Sequence, residues 1–340
     1  MTRAAGLRFL AGIGLMLLAA MARPEETGQQ RAVAAGRGLV GTAAPRAVLT
    51  TIDGERIDLG SLYGKKAVYL KFWATWCTPC REQMPHFEHV YQSAGTDLAV
   101  IAIDVGFNDS LDEVQKYRRK LGITMPIVFD DGSLGSAFNL RVTPQSIVIG
   151  RDGRILYVGH LADEHLDAAL LAAREIKSAP AVAGPARAET APIGVGDSLP
   201  AQSLAMLDGS SFALKGSGAA RPTVLVFLSP WCESYLATTR PAISASCRRT
   251  REQVSELSGN QRVRWIGIAS GLWASPDDLR EYQTENKIRI PLTLDESGKL
   301  FRTFRVTDVP TVLIADSNGK VIQRVNSDDP DGLRKAIVGL

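Results

Sequence analysis

Short apolar runs alternate with amphipathic stretches between residues 47 and 177 of the chain. The runs are rich in β-branched and aromatic side chains, a composition that favours strands. They predict strands over residues 47–51, 68–73, 98–105, 127–129, 146–149 and 155–158. Helical spacing predicts helices over residues 77–93, 111–121 and 164–176. With a hairpin turn at Asp152-Gly153, this order indicates an α/β fold, a mixed sheet flanked by helices.

The same pattern occurs a second time after residue 192. Gly41, Trp76 and Cys77 each have an identical residue 155 positions later in the chain. Past the cysteine the offset grows, because Pro144 pairs with Pro310, 166 positions later. An internal repeat of this length indicates a duplicated domain. The second copy therefore carries about eleven extra residues, the difference between the two offsets.

The N-terminal 22 residues have the organisation of a cleaved signal peptide. Arg3 and Arg8 precede an apolar segment, residues 9–20, which is too short to span a bilayer. Ala20-Met21-Ala22 then fits the small-residue cleavage pattern. We therefore expect residues 1–22 to be removed and a soluble protein to be exported, to the periplasm in a bacterium with an outer membrane.

Composition divides the rest of the chain. Residues 23–37 are polar and lack periodicity, and we predict a flexible lead there. Residues 178–192 are rich in alanine and proline and predict an extended linker. The two domains are then predicted at residues 38–177 and 193–340.

A length of 340 residues fits about two domains, and a net charge of +3 gives no indication of nucleic-acid binding.

A pair of cysteines, Cys77 and Cys80, lies between a predicted buried strand and the helix that follows it. The unpaired N–H groups and the dipole of a helix N-terminus favour a thiolate at Cys77. Cys80 lies one turn further on and is placed to resolve a mixed disulfide. A structural zinc site would need four ligands, and the chain has no second CxxC pair.

The segment FWATWCTPCREQMP at residues 72–85 resembles the TlpA/ResA-type family of exported thioredoxin-like thiol–disulfide oxidoreductases. The resemblance implies two tandem thioredoxin-like domains, catalytic Cys77 and Cys80, and no cofactor. It further implies that Trp76 flanks the site and that Thr143-Pro144 is a cis-proline step that contacts protein substrates. The implied electron donor is a membrane carrier of the DsbD/CcdA type, and several relatives serve cytochrome c or oxidase assembly.

Two residues depart from the family pattern. Gln83 occupies the position of a frequent glutamate, and Lys71 stands where many thioredoxins have a buried acid. An unpaired buried lysine is energetically costly, so we expect Lys71 to extend its side chain to the surface.

The second copy keeps Cys232 but has Tyr235 in place of the second cysteine. The next cysteine, Cys247, is 15 positions further on, and a straight helix would separate the pair by about 22 Å. Pro241 interrupts such a helix, so a looped insertion could bring Cys247 back to Cys232. We predict a disulfide between them, with two unpaired cysteines left by decay of a duplicated site as the alternative, and a second proline step at Val309-Pro310.

The resemblance implies a reductant of protein disulfides, but the residues themselves leave the redox direction open. A disulfide isomerase or oxidase would use the same cysteines in the opposite direction. The alternative from another functional class is a metal-handling or partner-binding module. In such a module the cysteines would bind a metal or form structural disulfides. No metal ligand is assigned.

Overall fold

The computed structural model describes residues 26–177, 191–215, 221–329 and 331–339. The predicted signal peptide and most of the predicted linker lie outside these ranges. Within them, no helix has the length and apolar character that crossing a membrane requires.

Each half of the chain forms one thioredoxin-like domain. The first domain contains α1 (Gly28–Gly36), β1 (Val48–Thr50), β2 (Arg56–Asp58), α2 (Leu59–Leu62), β3 (Ala67–Trp73), α3 (Thr78–Gln92), β4 (Leu98–Asp104), α4 (Leu111–Leu121), β5 (Ile127–Phe129), α5 (Ser133–Ala137), β6 (Gln145–Ile149), β7 (Ile155–Gly159) and α6 (Glu164–Glu175). The second contains β8 (Ser203–Ala205), β9 (Ser211–Ala213), β10 (Thr223–Leu228), α7 (Cys232–Thr239), α8 (Pro241–Leu257), β11 (Arg264–Ser270), α9 (Pro276–Glu285), β12 (Leu292–Asp295), α10 (Lys299–Thr303), β13 (Thr311–Ala315), β14 (Val321–Val325) and α11 (Gly332–Val338).

Two five-stranded sheets with the same topology form the centres of the domains. The strand order is β5-β4-β3-β6-β7 in the first and β12-β11-β10-β13-β14 in the second. In the first sheet β3, β4 and β5 are parallel, and β6 and β7 run antiparallel to their neighbours. The mixed α/β fold and its duplication, both predicted from the sequence, are confirmed.

The central strand β3 is buried along its whole length. It lies between β4 and β6 and is covered on both faces, which explains its nearly continuous run of apolar residues. Because β3 and β4 are parallel, their carboxyl ends meet at one edge of the sheet. Helix α3 begins at that edge and carries the cysteine pair.

Helix α1 replaces most of the flexible lead predicted for residues 23–37. Thr27 and Gln30 form a reciprocal capping box at its N-terminus. Ala32 and Ala35 are buried, and a Cβ atom at Gly36 would come within 2.8 Å of the Val158 side chain. The prediction was wrong because small residues gave no visible periodicity, although they permit close packing against β7.

The insertion in the second domain forms a helical hairpin. Helix α7 ends at Thr239, and α8 begins with Pro241 at its first turn, where a missing N–H is tolerated. The hairpin returns Cys247 to Cys232, and their Cα atoms are 6.3 Å apart in a disulfide.

Candidate active site

Cys77 is the N-cap residue of α3, and Cys80 lies in the first turn of that helix. The two form a disulfide with their Cα atoms 5.2 Å apart, and the Cys80 amide donates to Cys77 Sγ at 3.2 Å. After reduction this N–H and the helix dipole favour a thiolate at Cys77. Both cysteines are fully buried, with an exposed fraction of 0%.

The turn before the cysteines is held by the loop that follows β4. Asp109 accepts hydrogen bonds from the Thr75 amide at 2.7 Å and from the Thr75 hydroxyl. The Trp76 indole N–H donates to the Phe107 carbonyl at 2.6 Å. Burial raises the pKa of Asp109, whereas the bonds from Thr75 and the guanidinium of Arg240 act in the opposite direction. The loop therefore fixes the residues that lead into Cys77.

The Thr143-Pro144 step lies beside this turn. Its peptide bond is cis, and Gln145, the next residue, pairs with Phe72 near the end of β3. The Pro144 carbonyl is 2.7 Å from Nδ1 of His160. His160 is itself largely buried, and this burial lowers its pKa.

Lys71 does not reach the surface, so that prediction was wrong. The side chain is enclosed because β3 is the central strand and α3 covers the face from which Lys71 projects. Its Nζ donates to Gln83 Oε1 at 2.7 Å and lies 5.5 Å from the centre of the Phe87 ring. Desolvation lowers the pKa of Lys71 to about 7. The Gln83 amide also donates to the His160 carbonyl at 3.1 Å, so Gln83 links Lys71 to the proline step.

The second domain repeats part of this arrangement. Cys232 is the first residue of α7, and the Val309-Pro310 bond is cis. The Trp231 indole donates to the Leu272 carbonyl at 2.7 Å, as Trp76 does to Phe107 in the first domain. Tyr235 occupies the place of a second cysteine, so this domain has no CxxC pair.

Sequence reasoning missed the roles of Thr75, Asp109 and His160. A signal for Asp109 was present, because it follows β4, whose carboxyl end lies next to that of β3. No comparable signal marked His160, because its contact with Pro144 depends on the pairing of β6 with β7.

A thioredoxin fold with a CxxC pair at the start of the helix after its central strand defines the class of thiol–disulfide oxidoreductases. The family model for the AhpC/TSA family matches residues 40–158, within the first domain. The chain is similar to the thiol-disulfide oxidoreductase ResA of Bacillus subtilis, with 33% identity over 133 residues. This alignment covers 37% of this chain and 72% of that protein.

Two further similarities cover a comparable share of the chain. The ResA protein of Halalkalibacterium halodurans is 37% identical over 119 residues, which are 35% of this chain and 66% of that protein. The solved structure of a thiol:disulfide interchange protein of the thioredoxin family from Chlorobium tepidum is 30% identical, with a TM-score of 0.35. It covers 39% of this chain and 96% of that chain. The chain belongs to the ResA family of thiol–disulfide oxidoreductases, and the sequence resemblance is confirmed.

Proposed function

We propose that this protein is an exported reductant of protein disulfides that acts through Cys77 and Cys80. The position of Cys77 at the N-cap of α3, with Cys80 one turn away, is the observation that carries the proposal. The Cys77 thiolate attacks one sulfur of a substrate disulfide and forms a mixed disulfide with it. The other substrate sulfur leaves as a thiolate. Cys80 then attacks Cys77 Sγ, which frees the reduced substrate and leaves the Cys77–Cys80 disulfide.

The surroundings of Cys77 support the reducing direction. A strongly stabilised thiolate stabilises the reduced form and makes an oxidant. Burial opposes the thiolate that the Cys80 N–H and the helix dipole favour, and the Thr78 N–H at the helix N-terminus already donates to the Tyr235 hydroxyl at 3.1 Å. Because the stabilisation of the thiolate is partly offset in this way, the disulfide form is favoured more than in a strong oxidant, and the reduced protein gives up its electrons more readily.

The signal-peptide pattern of residues 1–22 supports export to the periplasm. All four cysteines are paired in disulfides, an arrangement that suits an oxidising compartment. After each reaction the Cys77–Cys80 disulfide must be reduced again, and a membrane carrier of the DsbD/CcdA type would supply the electrons. Cytochrome c or oxidase assembly is the process we propose for it. Trp76 and Thr143-Pro144 are the proposed substrate contacts, and Cys232–Cys247 is a proposed structural disulfide.

The reduction potential of the Cys77–Cys80 couple tests the direction. Equilibration of the full mature chain with glutathione, read by mass spectrometry of the Cys77–Cys80 peptide, measures it. We expect a value near that of thioredoxin, about −270 mV, or lower. A value near −120 mV, typical of a strong oxidant, would contradict the proposal and assign the protein as an oxidase.

A further inference from the structure

The two domains contact each other through equivalent surfaces. The rings of Trp76 and Trp231, which are equivalent in the repeat, lie 5.2 Å apart between the domains. The Asn108 amide donates to the Thr307 carbonyl at 2.8 Å. In the equivalent contact, the Trp273 amide donates to the Arg141 carbonyl, also at 2.8 Å. The interface is therefore approximately two-fold symmetric, with each domain presenting its active-site edge to the other.

Each domain inserts one loop residue at the proline step of the other. Asn108 and Trp273 follow the equivalent strands β4 and β11, and both have a positive φ, 53° and 56°. Asn108 Oδ1 accepts from the Val309 amide at 2.9 Å, next to Pro310. The Trp273 indole donates to the Thr143 hydroxyl at 3.2 Å, next to Pro144. The loop of the second domain thus forms hydrogen bonds with the backbone and side-chain groups of the first domain that a bound polypeptide would contact.

The second domain also covers the turn that carries the cysteines. Trp76 is only 1% exposed, and the Tyr235 ring lies against it with its centre 6.1 Å away. The Tyr235 hydroxyl accepts the Thr78 N–H at the start of α3. A cleft of about 460 Å³ opens between the domains beside Trp76 and Pro79, but neither cysteine lines it.

An ion pair stabilises the contact between the two domains. Arg240, in the break between α7 and α8, lies 2.9 Å from Asp109 Oδ1 and donates to the Thr75 hydroxyl at 2.6 Å. The Asp109 side chain has an exposed fraction of 0%, so removing Arg240 leaves a buried carboxylate without its cation. Removing one partner of such a buried ion pair strongly destabilises the folded state. A second pair, Arg141 with Glu296 at 3.0 Å, lies beside the Trp273 loop.

We infer that the loop Gly271–Trp273 of the second domain lies where a protein substrate would bind to the first domain. It holds the Cys77–Cys80 site closed until a polypeptide displaces it from Arg141 and Thr143. The displacing partner is an extended segment of a disulfide-bearing protein, because the surface offers a backbone carbonyl and a hydroxyl next to an aromatic wall. This inference rests on the proposed function, since it assigns the surface to a protein substrate.

Alkylation of Cys77 in the reduced full chain tests the closure without any substrate. Iodoacetamide is added, and mass spectrometry follows the label on the peptide that contains Cys77. We expect Trp273→Ala and Arg240→Ala to be labelled at least about tenfold faster than the wild-type chain, because each weakens the closed arrangement. Arg334→Ala is the matched control, since Arg334 pairs with Glu256 on the surface of the same domain. It should be labelled at the wild-type rate.

Equal labelling of Cys77 in the wild-type chain and in both interface variants, whether fast or slow, would overturn the inference. Trp273→Phe is the control for a folding defect, because it keeps a smaller aromatic ring and removes the N–H that reaches Thr143. It should give an intermediate rate with an unchanged melting temperature. An interface variant that is labelled quickly but reduces no insulin would uphold the closure and contradict the proposed function.

Discussion

Lys71→Met should remove the rise in stability with pH that Lys71 causes between about pH 7 and pH 9. Burial lowers the pKa of Lys71 from 10.5 to about 7, with only the neutral Gln83 amide as its acceptor. This depression corresponds to roughly 4–5 kcal/mol for burying the ammonium rather than the neutral amine. Between these two pKa values the unfolded chain holds a proton that the folded chain has lost. The free energy of unfolding therefore rises with pH, by at most about 1.4 kcal/mol per pH unit.

Urea unfolding at pH 6, 7, 8 and 9 measures the effect. At pH 6 the variant should be more stable than the wild type by a few kcal/mol, after about 1 kcal/mol is deducted for the lost hydrogen bond to Gln83. From pH 7 to pH 9 this advantage should shrink by up to about 3 kcal/mol. Lys65→Met, a change at an exposed lysine, is the control and should show no such trend. A difference between wild type and Lys71→Met that stays constant with pH would refute the reasoning.

We expect three other outcomes. Replacing Cys232 and Cys247 with alanine should lower the free energy of unfolding of the second domain by about 3 kcal/mol, the value for a loop of this length; an unchanged urea midpoint would contradict it. Gln83→Glu should make the free energy of unfolding rise less steeply between pH 7 and pH 9, because a carboxylate would pair with the Lys71 ammonium and raise its pKa, even though the hydrogen bond to the His160 carbonyl is lost; a rise as steep as in the wild type would count against that pairing. The mature chain should begin near Arg23 by mass spectrometry of the periplasmic fraction, and an N-terminus that retains residues 15–18 would disprove cleavage there.

The pattern of apolar positions was enough to predict the sheet of the first domain. Helix α4 has the predicted bounds, residues 111–121, because its capping box at Ser110 and its C-terminal Gly122 are both local signals. The position of Cys77 at the start of α3 was equally legible, since strand, cysteines and helix follow one another directly. Local chemistry fixed these features, so the sequence alone was sufficient.

The contacts between distant segments were not legible. Lys71 is buried because of the strands on either side of it, and its acceptor Gln83 comes from a different element. The loop containing Trp273 meets Thr143 across 130 positions of sequence. Nothing near either residue indicates that contact. The duplication was visible, but the way in which the two copies pack depends on surfaces that only the folded domains create.

Trapping of the mixed disulfide tests the central claim, that Cys77 attacks and Cys80 resolves. The Cys80→Ser chain is reduced, mixed with a disulfide-bearing protein such as insulin, quenched with acid and analysed by non-reducing mass spectrometry. We expect a covalent adduct through Cys77 in Cys80→Ser, no adduct in Cys77→Ser, and no insulin reduction by either variant. Adducts through Cys80 in Cys77→Ser, or undiminished insulin reduction by both variants, would contradict the account.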